Sequence, residues 1–375
     1  MAPIKVGIVG YGSSTKVFHL PFILPNPDLE VVAFLQRAEA PKDKSNVEKG
    51  VHCTVDHPNA RHHRTAQDFF ADEEINLVIV CTHPATHAEF AEQALLAGKH
   101  VVVEKPFTPT STEADNLIAL SKKQQKLLTV YQNRRYDSDF LTLRHHISQG
   151  AFGKITEFAN HYDVDDPPWI HGSGSREPLG PGERLLYGLG AHSIDQTLVL
   201  FGRPRRVFAV VRSLVVEGDT FTMILQYEDS DLVCTIKTTP VSPVPPAFAL
   251  KYWVRGTKGV LIKNGEDVQI EHLLEKGLEV TDEGFGVEPE RYHGYLTTRE
   301  EIDGKFETPS SESAVKFDGR VPSLRGCYAD FYRDVVAAVR GEREVVVKPE
   351  ESRDVIRCIE FARESAETGK VVEWS

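Results

Sequence analysis

Two patterns predict the fold class. From Lys5 to Tyr131 short β-branched runs alternate with helical patterns, whereas from Arg205 onward strand-like runs follow one another with few helices between them. The first pattern belongs to βαβ units on a parallel sheet, the second to strands that pair antiparallel through short turns. Length agrees, since 375 residues exceed what one hydrophobic core usually fills. The expectation is an α/β domain over residues 1–132 and an α+β domain with an open, mostly antiparallel sheet over residues 133–375, the C-terminal helix being free to pack back on the first domain.

Five runs in the first half, Lys5–Val9, Glu30–Leu35, Leu77–Cys81, His100–Glu104 and Leu127–Tyr131, are apolar through most of their length, as strands covered on both faces should be. Thr86 with Glu89 and Thr110 with Glu113 have capping-box spacing, and Gly98 stands where a helix-ending glycine belongs. Asp137 and Gly150 bracket a helix over Ser138–Gln149. Strand-like runs follow at Lys154–Tyr162, Arg205–Arg212, Thr220–Tyr227, Leu232–Thr239 and Phe248–Arg255, and two helices at about Tyr328–Arg340 and Glu350–Thr368, bounded by Pro349 and Gly369. The Pro- and Gly-rich stretch Asp163–Arg184 is too long for a simple connector and is either a lid or an ordered surface loop.

Composition narrows function. A net charge of −12 opposes nucleic-acid binding, and the basic runs Arg61–Arg64 and Lys122–Lys126 read as short solvated surface. The apolar runs are far shorter than the ~20 residues that span a bilayer, and the opening Met1-Ala-Pro-Ile-Lys5 leads straight into a strand pattern, so no membrane association and a cytoplasmic location are expected. Five scattered cysteines, Cys53, Cys81, Cys234, Cys327 and Cys358, read as reduced core residues. The paired histidines His62-His63 and His145-His146 cannot both face one metal on a helix, and no metal is expected.

The first strand runs into Gly10-Tyr11-Gly12-Ser13-Ser14-Thr15, which keeps the first two glycines of a dinucleotide fingerprint and puts Thr15 in the third place, where looser helix–strand packing is expected. Between a strand and a helix, such a turn presents backbone N–H groups to a pyrophosphate, and the first domain reads as a Rossmann dinucleotide-binding fold. Where an NAD-specific site would offer a carboxylate after the second strand, this chain has Gln36-Arg37. Arg37, with Ser13 nearby, suits a 2′-phosphate, so NADP is favoured and NAD remains possible.

The strand ending in Glu104-Lys105-Pro106 brings a family into view. Together with Gly10-Tyr11-Gly12, Thr86-His87, Ala97-Gly98-Lys99-His100-Val101, Asn133-Arg134-Arg135 and Gly190-Ala191-His192-Ser193-Ile194-Asp195, it resembles the Gfo/Idh/MocA oxidoreductases over nearly the whole chain. The resemblance implies that Lys105 is the active-site lysine beside nicotinamide and substrate, that Lys105–Pro106 is cis, and that His192 bonds the reacting oxygen. A lysine at the carboxyl end of a central parallel strand is independently well placed for acid–base work. The family's aspartate four residues before the histidine is absent, and Gly188 stands there. Tyr187, Tyr162 or a water is the expected substitute, and Asp195 either orients His192 or caps a neighbouring loop.

Cofactor contacts are thus expected from Gly10, Gly12, Ser13, Ser14, Thr15, Gln36, Arg37, Thr82, His83, His87, Glu104 and Lys105, and substrate contacts from Arg134, Tyr162, Trp169, Arg176, Tyr187 and His192. Lys105 and His192 are the expected catalytic pair for hydride exchange with a sugar, polyol or related carbonyl compound. A sensor that binds NADP or a sugar without turnover is the alternative, and Gly188 is its support. The loops Asp163–Arg184 and Glu283–Thr298 are expected to set specificity, and the resemblance implies a homodimer or homotetramer through the second-domain sheet.

Overall fold

The computed structural model describes residues 1–171, 182, 184–302 and 314–374. The chain forms two compact units, one of residues 1–133, 270–285 and 328–353, the other of residues 134–269, 286–327 and 354–375. The second domain expected as one contiguous stretch from residue 133 thus lends two segments to the first unit. Apolar side chains bring them there: Phe285 and Tyr328 put their rings 6.1 and 5.4 Å from Phe22.

The first unit holds a six-stranded parallel sheet in the order β3-β2-β1-β4-β5-β6, with β1 at Ile4–Val9, β2 at Leu29–Leu35, β3 at Arg61–His63, β4 at Leu77–Val80, β5 at His100–Val103 and β6 at Leu128–Val130. Every residue of β4 is buried, as the apolar run requires. Strand β3 was not expected, because its residues are polar. Arg61 is not a free surface cation: it pairs with Asp72, at 2.7 Å, and with Glu74. Helices α1 (Leu20–Ile23), α2 (Cys53–Asp56), α3 (Ala66–Ala71), α4 (His87–Leu96) and α5 (Ser111–Gln124) complete the βαβ connections.

Identical cap spacing has two outcomes here. Thr110 caps α5 with a full capping box, accepting from the Glu113 amide while Glu113 accepts from the Thr110 amide. Thr86 makes no such bond to α4. A 3₁₀ turn at Pro84–Thr86 begins one turn earlier with the His83 ring accepting from the Ala85 amide, and the Thr86 hydroxyl donates back to Thr82 Oγ1 and the His83 carbonyl.

The second unit is built on a nine-stranded sheet in the order β14-β13-β12-β11-β7-β10-β9-β8-β15, antiparallel except where β7 and β10 run parallel. Its strands are β7 (Ile155–His161), β8 (Arg206–Arg212), β9 (Thr220–Gln226), β10 (Val233–Thr238), β11 (Leu250–Gly256), β12 (Gly259–Asn264), β13 (Gly294–Thr298), β14 (Phe317–Val321) and β15 (Val372–Glu373). The expected specificity loop at 283–298 therefore ends in a strand. Of the expected lid, residues 172–181 and 183 lie outside the described residues; residues 164 and 166 continue the pairing of β7 with β10 by bonding the carbonyls of Thr239 and Pro240.

The remaining helices are α6 (Ser138–Ser148), α7 (Pro168–His171), α8 (Arg184–Gly188), α9 (Gly190–Phe201), α10 (Gln269–Leu274), α11 (Ala329–Val339) and α12 (Pro349–Thr368). Asp137 does not cap α6. Its carboxylate takes Arg134, and the first helical amide, of Ser138, is satisfied by Asp267. Helix α9 lies on one face of the sheet, where the Tyr252 hydroxyl donates to Gln196 Oε1 and Asn160 Nδ2 donates to the same oxygen. All five cysteines are free and buried. Among the described residues no helix is long and apolar enough to cross a membrane.

Because the Thr110 cap is complete, Thr110→Ala is expected to cost ~1 kcal/mol, measured by urea unfolding, whereas Thr86→Ala should cost clearly less.

Candidate active site

In the first unit the strand order reverses between β1 and β4, and ligands of open α/β sheets bind at the carboxyl ends of strands at such a point. Gly10-Tyr11-Gly12 stands there. Gly10 has φ of +98°, and a Cβ on it would come 2.3 Å from the Cys81 carbonyl oxygen. No larger residue fits. A Cβ on Gly12 would meet nothing within 4 Å, so the chain leaves bare, open space on the side where a pyrophosphate would approach. The residues present therefore fit a dinucleotide. Ser13 is exposed at the turn and Ser14 half-buried.

Thr15, in the place of the third glycine, is fully buried and donates its hydroxyl to the Gly10 carbonyl at 3.1 Å. The packing is not loosened; a hydrogen bond replaces the close approach of a glycine. The helix then widens to an i→i+5 turn over Thr15–His19 before α1, a form that recurs at functional sites.

The end of β5 is tied to this turn through Glu104. Its carboxylate accepts from Ser14 Oγ at 2.5 Å, from the Lys105 amide at 2.6 Å and from His19 Nε2 at 3.2 Å. With Nε2–H donating to Glu104, His19 Nδ1 accepts from the Tyr332 hydroxyl of α11. Burial alone would raise the Glu104 pKa, but His19, Lys105 and Ser14 outweigh it and hold the carboxyl down at about 2. Lys105, half-buried, leads into the cis Lys105–Pro106 bond. His87, a predicted cofactor contact, is instead fully buried with its ring nitrogens 2.8 and 3.0 Å from the Pro106 and Thr82 carbonyl oxygens. It acts on the site by holding those two loops.

At the end of β2 the Gln36 side chain is spent on the 51–53 loop, accepting from the Cys53 amide at 2.9 Å and donating to the Val51 carbonyl at 3.3 Å. Arg37 is exposed, and Arg64, also exposed, donates Nε to its carbonyl. Arg64 was not singled out from the sequence, because its proximity to Arg37 depends on the pairing of β3 with β2. Nearby, His52, Cys53 and His62 bring ligand-type atoms within 4.8 Å of one another. His52 Nδ1 already accepts from the Thr54 amide and His62 Nε2 faces the Gln36 carbonyl, so these rings serve the loops.

In the second unit two of the expected substrate residues, His192 and Arg134, lie beside a third, Tyr162, which is buried at the end of β7. The His192 ring on α9 is 6.1 Å from the Tyr162 ring, and the Arg134 guanidinium lies 4.6 Å above it. Arg134 is held by Asp137 at 3.1 Å. The Tyr162 hydroxyl is kept protonated chiefly by burial. Asp163, next to it, is raised to about 6, mainly by burial. The Asp195 carboxylate forms a buried bidentate pair with Arg135, at 2.7 and 2.6 Å. Tyr187 is buried with its hydroxyl bonded to Arg363 of α12. Trp169 is 54% exposed on α7, and Arg176 lies outside the described residues. Gly188 ends α8, and the chain turns at Leu189 before α9 begins, so a helix break separates it from His192.

Lys251 was missed altogether. It lies 4.3 Å above the Tyr162 ring, although nothing in its sequence neighbourhood sets it apart from a surface lysine on a strand.

The architecture and these two clusters can be set beside known proteins. A model of the Gfo/Idh/MocA family described as an oxidoreductase family NAD-binding Rossmann fold matches residues 4–132, and one described as the C-terminal alpha/beta domain matches residues 144–374. The chain belongs to the Gfo/Idh/MocA oxidoreductases. A Schizosaccharomyces pombe relative, named only as an uncharacterized oxidoreductase, is 34% identical over the whole of both chains. A Bacillus subtilis relative named scyllo-inositol 2-dehydrogenase (NADP(+)) is 33% identical over 98% of this chain and 95% of its own. An oxidoreductase from Bacillus cereus superposes with a TM-score of 0.84 at 28% identity, over 99% of each chain. As a member of the family, the protein is an enzyme, an oxidoreductase with a nicotinamide-dinucleotide fold.

Glu104 supplies a test within the first unit. A carboxyl held near 2 against an ordinary 4.5 stabilises the fold fully above about pH 4.5, and this contribution is lost as pH falls through about 2. Glu104→Gln should therefore cost ~1–3 kcal/mol at pH 7 and flatten the acid limb of the stability profile between those limits, read by denaturant unfolding at stepped pH.

Proposed function

We propose that this oxidoreductase is an NADP-preferring dehydrogenase acting on a carbinol or carbonyl carbon of a sugar, polyol or related small compound. The observation that carries the reading is the Glu104 carboxylate, which fixes both the Lys105 backbone and the Ser14 turn of the dinucleotide fingerprint. NADP preference is supported by the exposed Arg37 and Arg64 at the ends of β2 and β3, with no acid at Gln36 or Arg37, and by the cofactor in the name of the Bacillus subtilis relative.

NADP supplies the hydride acceptor at nicotinamide C4 when bound. The chain's own part is to bind and to move a proton. Gly10 and Gly12 admit the pyrophosphate to the backbone amides, and Arg37 with Arg64 takes the 2′-phosphate. Lys105 Nζ and a His192 ring nitrogen share the proton of the substrate hydroxyl as its O–H bond opens and the carbonyl forms. Tyr162, Arg134 and Trp169 frame the hydroxyl groups that do not react. Gly188 leaves the family's aspartate position empty, and a Cβ there would meet nothing within 4 Å, so a water can stand in its place. Five buried free thiols suit a reducing compartment such as the cytoplasm.

The test is fluorescence titration with NADPH and NADH, followed by a sugar, polyol and aldehyde panel that includes scyllo-inositol. NADPH is expected to bind more tightly than NADH, Arg37→Ala to weaken NADPH roughly tenfold with little effect on NADH, and Lys105→Met to lower kcat by about 10²–10⁴. Preferential NADH binding, or turnover untouched by Lys105→Met, would contradict the assignment.

We also propose a homodimer or homotetramer through the sheet face that exposes Val210, Val233, Ile262 and Tyr295. Light scattering should give a multiple of the chain mass, and Ile262→Glu should lower it; a monomeric wild type contradicts this.

A further inference from the structure

We propose that Lys251 is a substrate-binding residue, and that its ammonium donates hydrogen bonds to oxygens of a neutral polyhydroxylated substrate rather than pairing with an anion. The inference rests on the dehydrogenase reading and narrows its substrate class.

Three observations carry it. The first is a bulge: β11 pairs Leu250 with Asn264 but Tyr252 with Lys263, so Lys251 is an extra residue with no opposite number on β12. In a regular strand Lys251 would share a face with Trp253 and oppose Tyr252. The extra residue turns it inward instead, and bulges that re-aim one side chain recur beside active sites.

The second is the ammonium's state. Lys251 is 2% exposed, and among the described residues Nζ has no hydrogen-bond partner. What holds it is aromatic: Nζ lies 4.3 Å from the Tyr162 ring and 5.6 Å from the Tyr252 ring. Ring faces attract a cation but do not saturate three N–H donors, and an unsatisfied buried cation is costly. Packing alone would be served better by methionine.

The third is the company it keeps. Tyr162 also packs beside His192, the residue proposed to bond the reacting oxygen. Arg134, on the same ring, is paired with Asp137. Asp137, Asp139 and Glu266 all act electrostatically on Tyr162, and Lys251 acts on Asp163. The four carboxyl groups of this cluster outnumber its three cations, Arg134, Lys237 and Lys251, and would disfavour an added carboxylate or phosphate, whereas hydroxyl oxygens can accept from Nζ without adding charge.

The experiment compares the wild type with Lys251→Met, which keeps the stem and removes the donors, and Lys251→Gln, which keeps one donor group. Kinetics use scyllo-inositol, the turned-over polyols of the panel and gluconate as an anionic probe. For neutral polyols, Lys251→Met should raise KM roughly tenfold or more and Lys251→Gln less, with NADPH affinity within about twofold of wild type. Without ligand, Lys251→Met should melt about 2 °C or more above wild type, because a buried charge without a partner has been removed. KM values within about twofold, or a lower ligand-free Tm, would overturn the proposal. A larger penalty on gluconate than on neutral polyols would overturn its choice of substrate class. If the wild type turns over nothing in the panel, the dehydrogenase reading fails separately. The ligand-free Tm then decides the role of Lys251: a rise supports a donor awaiting a ligand, and no rise overturns it.

Discussion

The buried carboxylate of Glu104 is the constraint on which the first unit is organised. A charge taken out of water needs donors on every side, and this one finds three on two pieces of chain: the Ser14 hydroxyl and the His19 ring on the helix after the glycine turn, and the amide of its own neighbour Lys105. His19 passes the demand on to Tyr332 of α11, whose neighbours Phe331 and Tyr131 pack edge to face at 4.8 Å. That is why a segment from far along the sequence completes the first unit. The dinucleotide turn and the lysine that follows β5 are thus fixed by a single group and cannot shift independently.

The second unit solves a different problem. An open sheet must present polar groups at one end without exposing its core, and α9 does this by bonding through Gln196 to Tyr252 and Asn160 while placing His192 near Tyr162. The bidentate Arg135–Asp195 pair anchors the middle of this helix to the chain that enters the unit. Around Tyr162 the cations are held by different means, Arg134 by a carboxylate and Lys251 by ring faces alone. Arg134 thus keeps a charged partner in the absence of ligand, whereas the donors of Lys251 have none among the described residues.

Much of this was readable from residues alone, for physical reasons. Strands β1, β4 and β5 are covered on both faces and are apolar through most of their length, and Glu104-Lys105-Pro106 follows directly from one of them. Strand β3 escaped notice because three polar residues on a sheet edge carry no such pattern. Thr86 and Thr110 have the same local spacing and differ only because an earlier 3₁₀ turn had already opened α4. The buried guanidinium partner of Asp195 could not be read from its own helix, because Arg135 comes from 60 residues away. Lys251 was hidden for a related reason. Its orientation depends on a register shift against β12, and alternation along β11 alone points it to the wrong face.

The proposed reaction is hydride transfer between a substrate carbinol carbon and nicotinamide, with Lys105 and His192 managing the proton. The most direct measurement incubates the protein with NADP and scyllo-inositol deuterated at its ring carbons, then examines the nicotinamide by proton NMR. Deuterium is expected at C4 on a single face, formed more slowly than from unlabelled inositol. Reduced cofactor without the label would contradict it.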